Sequence, residues 1–261
     1  MSLFDKFLLF WSGTLEEGGG VPGSAKPFLK WAGGKRWLVR EFQDKIPGTF
    51  GKYFEPFLGS GAVFFHVKPA AAILSDKNVD LIGTYNSVRE NFENVIRILE
   101  LHKQKHSKEY YYKIRESEPS LPEERAARFI YLNRVCWNGL YRVNRAGKFN
   151  VPIGTKTTFE IDHGEWKQAS ELLKKASISS GDFNDTVAKA QRNDFVYCDP
   201  PYTVTHNNNG FVKYNEDIFK WDDQVRLSVA LRKAKKRRGE RKHGGKAMER
   251  SHITPAGATP P

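Results

Sequence analysis

Residues 52–76 read KYFEPFLGSGAVFFHVKPAAAILSD, and the fold follows from how this stretch is parsed. Lys52 to Phe57 reads as a strand and Ala71 to Ser75 as a second, with a short helical segment, Ala62 to Val67, between them. Gly59 and Gly61 then fall where the first strand gives way to the helix. Two glycines spaced by one residue let the backbone turn sharply and approach a ligand closely. Asp76 closes the next segment, where a carboxylate can accept both hydroxyls of a ribose. An ordinary tight turn and a solvated aspartate are the plain alternatives. A dinucleotide would suit this arrangement as well as any other nucleoside cofactor.

Outward from this stretch, apolar residues recur at three and four from Leu81 to Leu99, which predicts one long amphipathic helix over Val79 to Leu101. Helical segments follow around Tyr110 and from Pro122 to Asn133. They lead into CWNGLYRVNRAGKFNVPIG, whose Gly, Asn, Arg and aromatic content suits a recognition lobe better than a sheet core. Sheet character resumes at Ala176 to Ser179 and Phe195 to Cys198, with a helix near Thr186 to Ala190 between them and another from Trp221 to about Lys236. Strands alternating with helices predict an α/β fold, a mainly parallel sheet covered by helices. The first 25 or so residues match no periodic element, and GERKHGGKAMERSHITPAGATPP at the other end has neither strand period nor helical stripe.

Composition narrows the class. With 261 residues, 39% of them hydrophobic, the chain can bury one sizeable core with an inserted lobe. Cys136 and Cys198 form no CxxC pattern and sit in apolar surroundings, so a disulfide framework is not expected, and no histidine spacing suggests a metal site. The apolar runs are too short to span a bilayer and no basic segment precedes the opening residues, so a cytoplasmic protein is expected. The net charge of +12 favours a polyanionic partner, but +8 of it lies between Arg232 and Arg250. The nature of the partner must therefore come from motifs.

Asp199-Pro200-Pro201-Tyr202 follows the strand FVYC. Two prolines stiffen the loop, so the Asp199 carboxylate and the Pro200 carbonyl can both accept from one exocyclic amino group. Tyr202 offers a flat face for a base swung out of a duplex. In FLKWAGGKR, Gly33 and Gly34 expose backbone N–H groups beside Lys35, a nest for a carboxylate. Asp182 and Phe183 end a further strand, where they could read and cover an adenine.

Taken in order, FLKWAGGKR, FEPFLGSGAVFF, LSDKNVDLI, NRVCWNGLYRVNRAGKFNVPIG and FVYCDPPY resemble the Dam-type DNA adenine methyltransferases, whose usual target is GATC, and their restriction-system relatives. The resemblance runs from about Pro27 to Arg238 and implies a Rossmann-like sheet using S-adenosylmethionine on double-stranded DNA. It implies cofactor binding by Trp31, Gly33, Lys35, Phe57, Gly59, Gly61, Asp76, Asp182 and Phe183, and catalysis by Asp199, Pro200, Pro201 and Tyr202. Lys30 and Arg142 match residues that read outer guanines, while Leu140 and Pro152 match residues that meet a thymine methyl. Trp137 stands where an aromatic is wedged near the flipped base, and Asn138 follows it. Lys156 stands where some members have tyrosine.

The implied division is a leader over 1–26, a cofactor-binding part over 27–100, a target-recognition lobe over 101–170, the part carrying DPPY over 171–238, and a basic tail over 239–261. The family continues past DPPY with further strands, one bearing an asparagine motif. The tail here resembles out-of-frame or truncated coding sequence instead, so the position beside Phe195 and Tyr197 is expected to be unfilled and activity impaired. A DNA-binding relative without catalysis, an N4-cytosine methyltransferase and a dinucleotide-dependent oxidoreductase are the alternatives. Asp199, where cytosine enzymes usually carry serine, favours adenine.

Overall fold

The computed structural model describes residues 8–10, 25–31, 46–201 and 219–240. Five strands form one sheet in the order β1-β5-β2-β3-β4. They are β1 (Leu8–Phe10), β2 (Tyr53–Glu55), β3 (Ala72–Asp76), β4 (Ala176–Ser180) and β5 (Phe195–Cys198). The pairs β2–β3, β2–β5 and β3–β4 are parallel, and β1 pairs antiparallel with β5. The chain steps from β2 outward to β3 and β4, then crosses back to β5 on the other side of β2. That reversal makes a crevice at the carboxyl ends of β2 and β5, where open α/β sheets bind ligands.

Alternation along the strands builds two cores. Tyr53, Phe195 and Tyr197 face a large cluster with the helical lobe, while Phe54, Val196 and Cys198 face a smaller one with Phe183, Phe219, Leu227 and Leu231. The helices are α1 (Ala62–Val67), α2 (Val79–Glu90), α3 (Phe92–Gln104), α4 (Lys108–Glu116), α5 (Pro122–Val135), α6 (His163–Leu173), α7 (Phe183–Val187) and α8 (Trp221–Glu240). α5 carries eight buried residues and packs on both α2 and α3, so it is the central post of the lobe.

Two expectations are corrected. The stripe from Val79 to Leu101 is two helices, because Asn91 leaves helical geometry at φ −128°. Apolar spacing continues through the break, so periodicity alone could not reveal it, although asparagine is a residue that competes with helix hydrogen bonding. The opening residues also contribute an element. Leu8, Leu9 and Phe10 pair with Cys198, Tyr197 and Val196 and fill the edge expected to stand open. Three consecutive apolar residues carry no period, which is why β1 escaped a pattern-based reading.

Candidate active site

The turn after β2 is held from three sides. The Leu58 N–H donates to the Ser75 carbonyl at 2.9 Å, and the Gly59 N–H donates to Asp76 Oδ2 at 3.0 Å. The Tyr85 hydroxyl, carried up from α2, donates to the Gly59 carbonyl at 3.0 Å. Gly59 (φ 49°) and Gly61 (φ 64°) both adopt left-handed geometry. A β-carbon at Gly59 would stand 2.9 Å from Trp31 Cδ1, so the turn and Trp31 are in close contact. Asp76 Oδ1 also accepts from the Asn78 N–H at 2.9 Å. Burial pushes the Asp76 carboxyl above the usual range, opposed by the N–H groups of Asn78, Gly59 and Lys77. Asp76 therefore clamps the glycine turn as well as facing the crevice.

Glu55, absent from the sequence-derived site, is buried at the end of β2. It accepts from the Tyr53 hydroxyl at 2.8 Å and from the Phe64 N–H in the first turn of α1. Burial holds its pKa well above the ordinary carboxylate range, and Asp199 and Asp76 add to the shift by repulsion. The only sequence signal for it was an acidic residue among aromatics at a strand end. Asp199, partly exposed, follows the buried Cys198 on the neighbouring strand, so Glu55, Asp76 and Asp199 share one end of the sheet. Tyr202, Gly33 and Lys35 lie outside the described residues.

Phe57 stacks on Phe183 with centroids 5.4 Å apart, and Phe219 closes the group edge-on to Phe57 at 5.6 Å. Phe183 is buried, whereas Phe57 is only partly covered. Asp182 caps α7 by accepting from the Asn184 N–H and pairs with Arg226 Nη2, each at 2.9 Å. The Arg226 guanidinium lies 5.0 Å over the Phe183 ring.

The proposed reading residues lie along the lobe's opposite edge. Asn133 on α5 fixes the Lys30 backbone, accepting from its N–H at 2.8 Å and donating to its carbonyl at 2.7 Å. A buried polar residue within the apolar run FIYLNRV was the available hint. Trp31 stacks on Tyr141 at 5.5 Å, and the Tyr141 hydroxyl donates to Asp80 at 2.9 Å. Trp137 is half exposed on a tight turn, Trp137–Gly139, in which Asn138 has φ 52°. Its N–H donates to the Pro152 carbonyl at 3.0 Å, which brings Trp137 and Pro152 together. Leu140 is partly buried against the main core. Arg142 donates from Nε to Asn150 Oδ1 at 2.8 Å and from Nη2 to the Asn150 carbonyl at 3.3 Å, which fixes the plane of its guanidinium.

A strand–glycine turn–helix with a carboxylate after the next strand, on a sheet that reverses at the crevice, defines a Rossmann-like enzyme of the nucleoside-cofactor-dependent kind. The family model described as D12 class N6 adenine-specific DNA methyltransferase matches residues 31–249. The chain is 43% identical over 211 residues to the Type II methyltransferase M1.LlaDCHI of Lactococcus lactis subsp. cremoris, covering 77% of this chain and 74% of the relative. It is 38% identical over 235 residues to the Type II methyltransferase M.MjaIII of Methanocaldococcus jannaschii, covering 81% of each. A DNA adenine methylase of Serratia marcescens is 38% identical over 207 residues, 78% of this chain and 76% of that one.

The chain belongs to the D12 class of N6 adenine-specific DNA methyltransferases. It is an S-adenosylmethionine-dependent, DNA-binding enzyme, and the dinucleotide reading is set aside. The glycine turn fits that cofactor's nucleoside end: it brings its backbone within contact of Trp31 beside a buried carboxylate. Among the described residues no helix is long and apolar enough to cross a membrane.

Proposed function

We propose that this enzyme methylates N6 of an adenine flipped out of double-stranded DNA, with GATC as its target. The observation that carries the reading is the placement of Asp199-Pro200-Pro201 at the carboxyl end of β5, beside the strand whose glycine turn contacts Trp31 and Asp76. Trp31, Gly33, Lys35, Phe57, Gly59, Gly61, Asp76, Asp182 and Phe183 are proposed to hold S-adenosylmethionine, which supplies an electrophilic methyl group when bound. Phe57 offers an uncovered ring face, while Phe183 backs it and Asp182 acts together with Arg226.

The amino group of adenine is a weak nucleophile because its lone pair is shared with the ring. The Asp199 carboxylate and Pro200 carbonyl accept its two protons, which draws the lone pair out of the ring plane and aims it at the methyl group. Tyr202 stacks on the flipped base. Residues 101–170 form the target-recognition lobe, in which Lys30 of the preceding part joins Arg142 to read outer base pairs. Leu140 and Pro152 meet a thymine methyl, and Trp137 with Asn138 fills the gap left by the base. The names of the two Type II relatives support a role in the cytoplasm alongside a restriction endonuclease that shares the target.

Transfer of labelled methyl groups to duplexes with and without GATC, followed by nucleoside analysis, tests the reading. N6-methyladenine in the GATC duplex alone is expected. Product on cytosine, or equal transfer to both duplexes, would overturn it.

A further inference from the structure

Lys30 and Lys156 come from opposite ends of the lobe, yet their amino groups lie within hydrogen-bonding reach of each other. The stem of Lys30 runs over Gly139, where a β-carbon would come 2.6 Å from Lys30 Cδ. Any other residue there would evict it. Lys156 is exposed, and its carbonyl accepts from His106 Nε2 at 3.1 Å. A carbonyl can only accept, so the His106 proton is on Nε2, and the neutral ring's Nδ1 accepts from the Tyr131 hydroxyl at 2.8 Å. Tyr131 and Asn133 lie two residues apart on α5. One helix thus places both lysines, Lys30 directly through Asn133 and Lys156 through Tyr131 and His106.

The charged groups acting on Lys30 are Lys156, Arg134 and the Cys136 thiol, and no carboxylate is among them. Two ammonium groups held together without a counter-charge carry only donors. The geometry points to a two-ammonium site, Lys30 and Lys156 with His106 as its positioning residue, that grips an acceptor-only edge of the DNA: the N7/O6 edge of guanine or a backbone phosphate. This rests on the DNA-methyltransferase reading and adds Lys156 and His106 to it.

Burial first, then Lys156 and Arg134, lowers the Lys30 pKa to about 8. A ligand that needs both charges must restore the missing proton above that pH. Affinity is therefore full below pH 8 and falls by up to about tenfold per unit above it.

The test is fluorescence anisotropy with a short GATC duplex across this range. Companion duplexes carry 7-deazaguanine at each guanine in turn, or methylphosphonate at single phosphates. Lys156→Met keeps the stem and removes the charge, and it should weaken binding several-fold at neutral pH and move the alkaline fall upward. His106→Leu should weaken binding in the same way, and His106→Gln, which can still donate to the Lys156 carbonyl, should restore it. Loss of the Lys156 effect on one deazaguanine duplex assigns the site to guanine, and its loss on one methylphosphonate duplex assigns it to a phosphate. If Lys156→Met binds every duplex as wild type does, with an unchanged pH profile, the site does not exist. Binding is read without turnover, so absence of methyl transfer to adenine would refute the functional reading separately.

Discussion

The glycine turn and the reading edge of the lobe are built in opposite ways. At the turn, backbone N–H and carbonyl groups meet buried partners, Asp76, Ser75 and Tyr85, and the geometry leaves no room for a side chain at Gly59. At the reading edge, long side chains are steered by other side chains, Arg142 by Asn150 and Lys156 by His106. A site written in backbone cannot be changed without remodelling the fold. A site written in side chains can change by single substitutions while the scaffold stays. The lobe is where relatives with different targets can differ at least cost.

The comparison predicts where substitutions are severe and how they fail. Asp199→Ala should cut single-turnover methyl transfer by about 10²–10³-fold or more, with S-adenosylmethionine affinity within a few-fold. Turnover near wild type would remove Asp199 from the chemistry. Asp76→Ala should weaken cofactor binding by about 2–3 kcal/mol in calorimetry and also lower the melting temperature, since it strips acceptors from Gly59 and Asn78. An unchanged melting temperature would show that the clamp contributes nothing to the scaffold.

On the other side, Arg142→Ala should leave the melting temperature alone and cost about 1–3 kcal/mol of discrimination at one outer base pair. Asn150→Ala should act in the same direction and more weakly, through Arg142. Equal losses on matched and mismatched duplexes would assign Arg142 to a phosphate. The smallest effect should come from Tyr85→Phe, about 1 kcal/mol of cofactor affinity through the Gly59 carbonyl. If that change alters target choice instead, the two regions are not separate.

This difference also explains what could be read from sequence. A glycine turn announces itself, because only glycine tolerates the left-handed backbone of residues 59 and 61. The parallel strands and α1 were legible for a similar reason: local pattern and local structure agree. The supports at the reading edge were not, since Asn133, Asn150 and His106 act across the chain and each alone looks like an ordinary polar residue. Glu55 was hidden in the same way, because its partners Tyr53 and Phe64 come together only once α1 folds back on β2. The break at Asn91 and the strand Leu8–Phe10 fall where periodicity carries no information.

The strand Leu8–Phe10 has a consequence in time. Its partner positions, Val196 to Cys198, lie about 190 residues further along the chain. At a synthesis rate of about 5–20 residues per second, about 10–40 s pass between the appearance of the first strand and that of its partner. Throughout that interval Leu8, Leu9 and Phe10 have no edge to join. Nearly all of the sheet and the entire lobe can form in the meantime, and the first segment to leave the ribosome must wait for almost the last strand before it is covered.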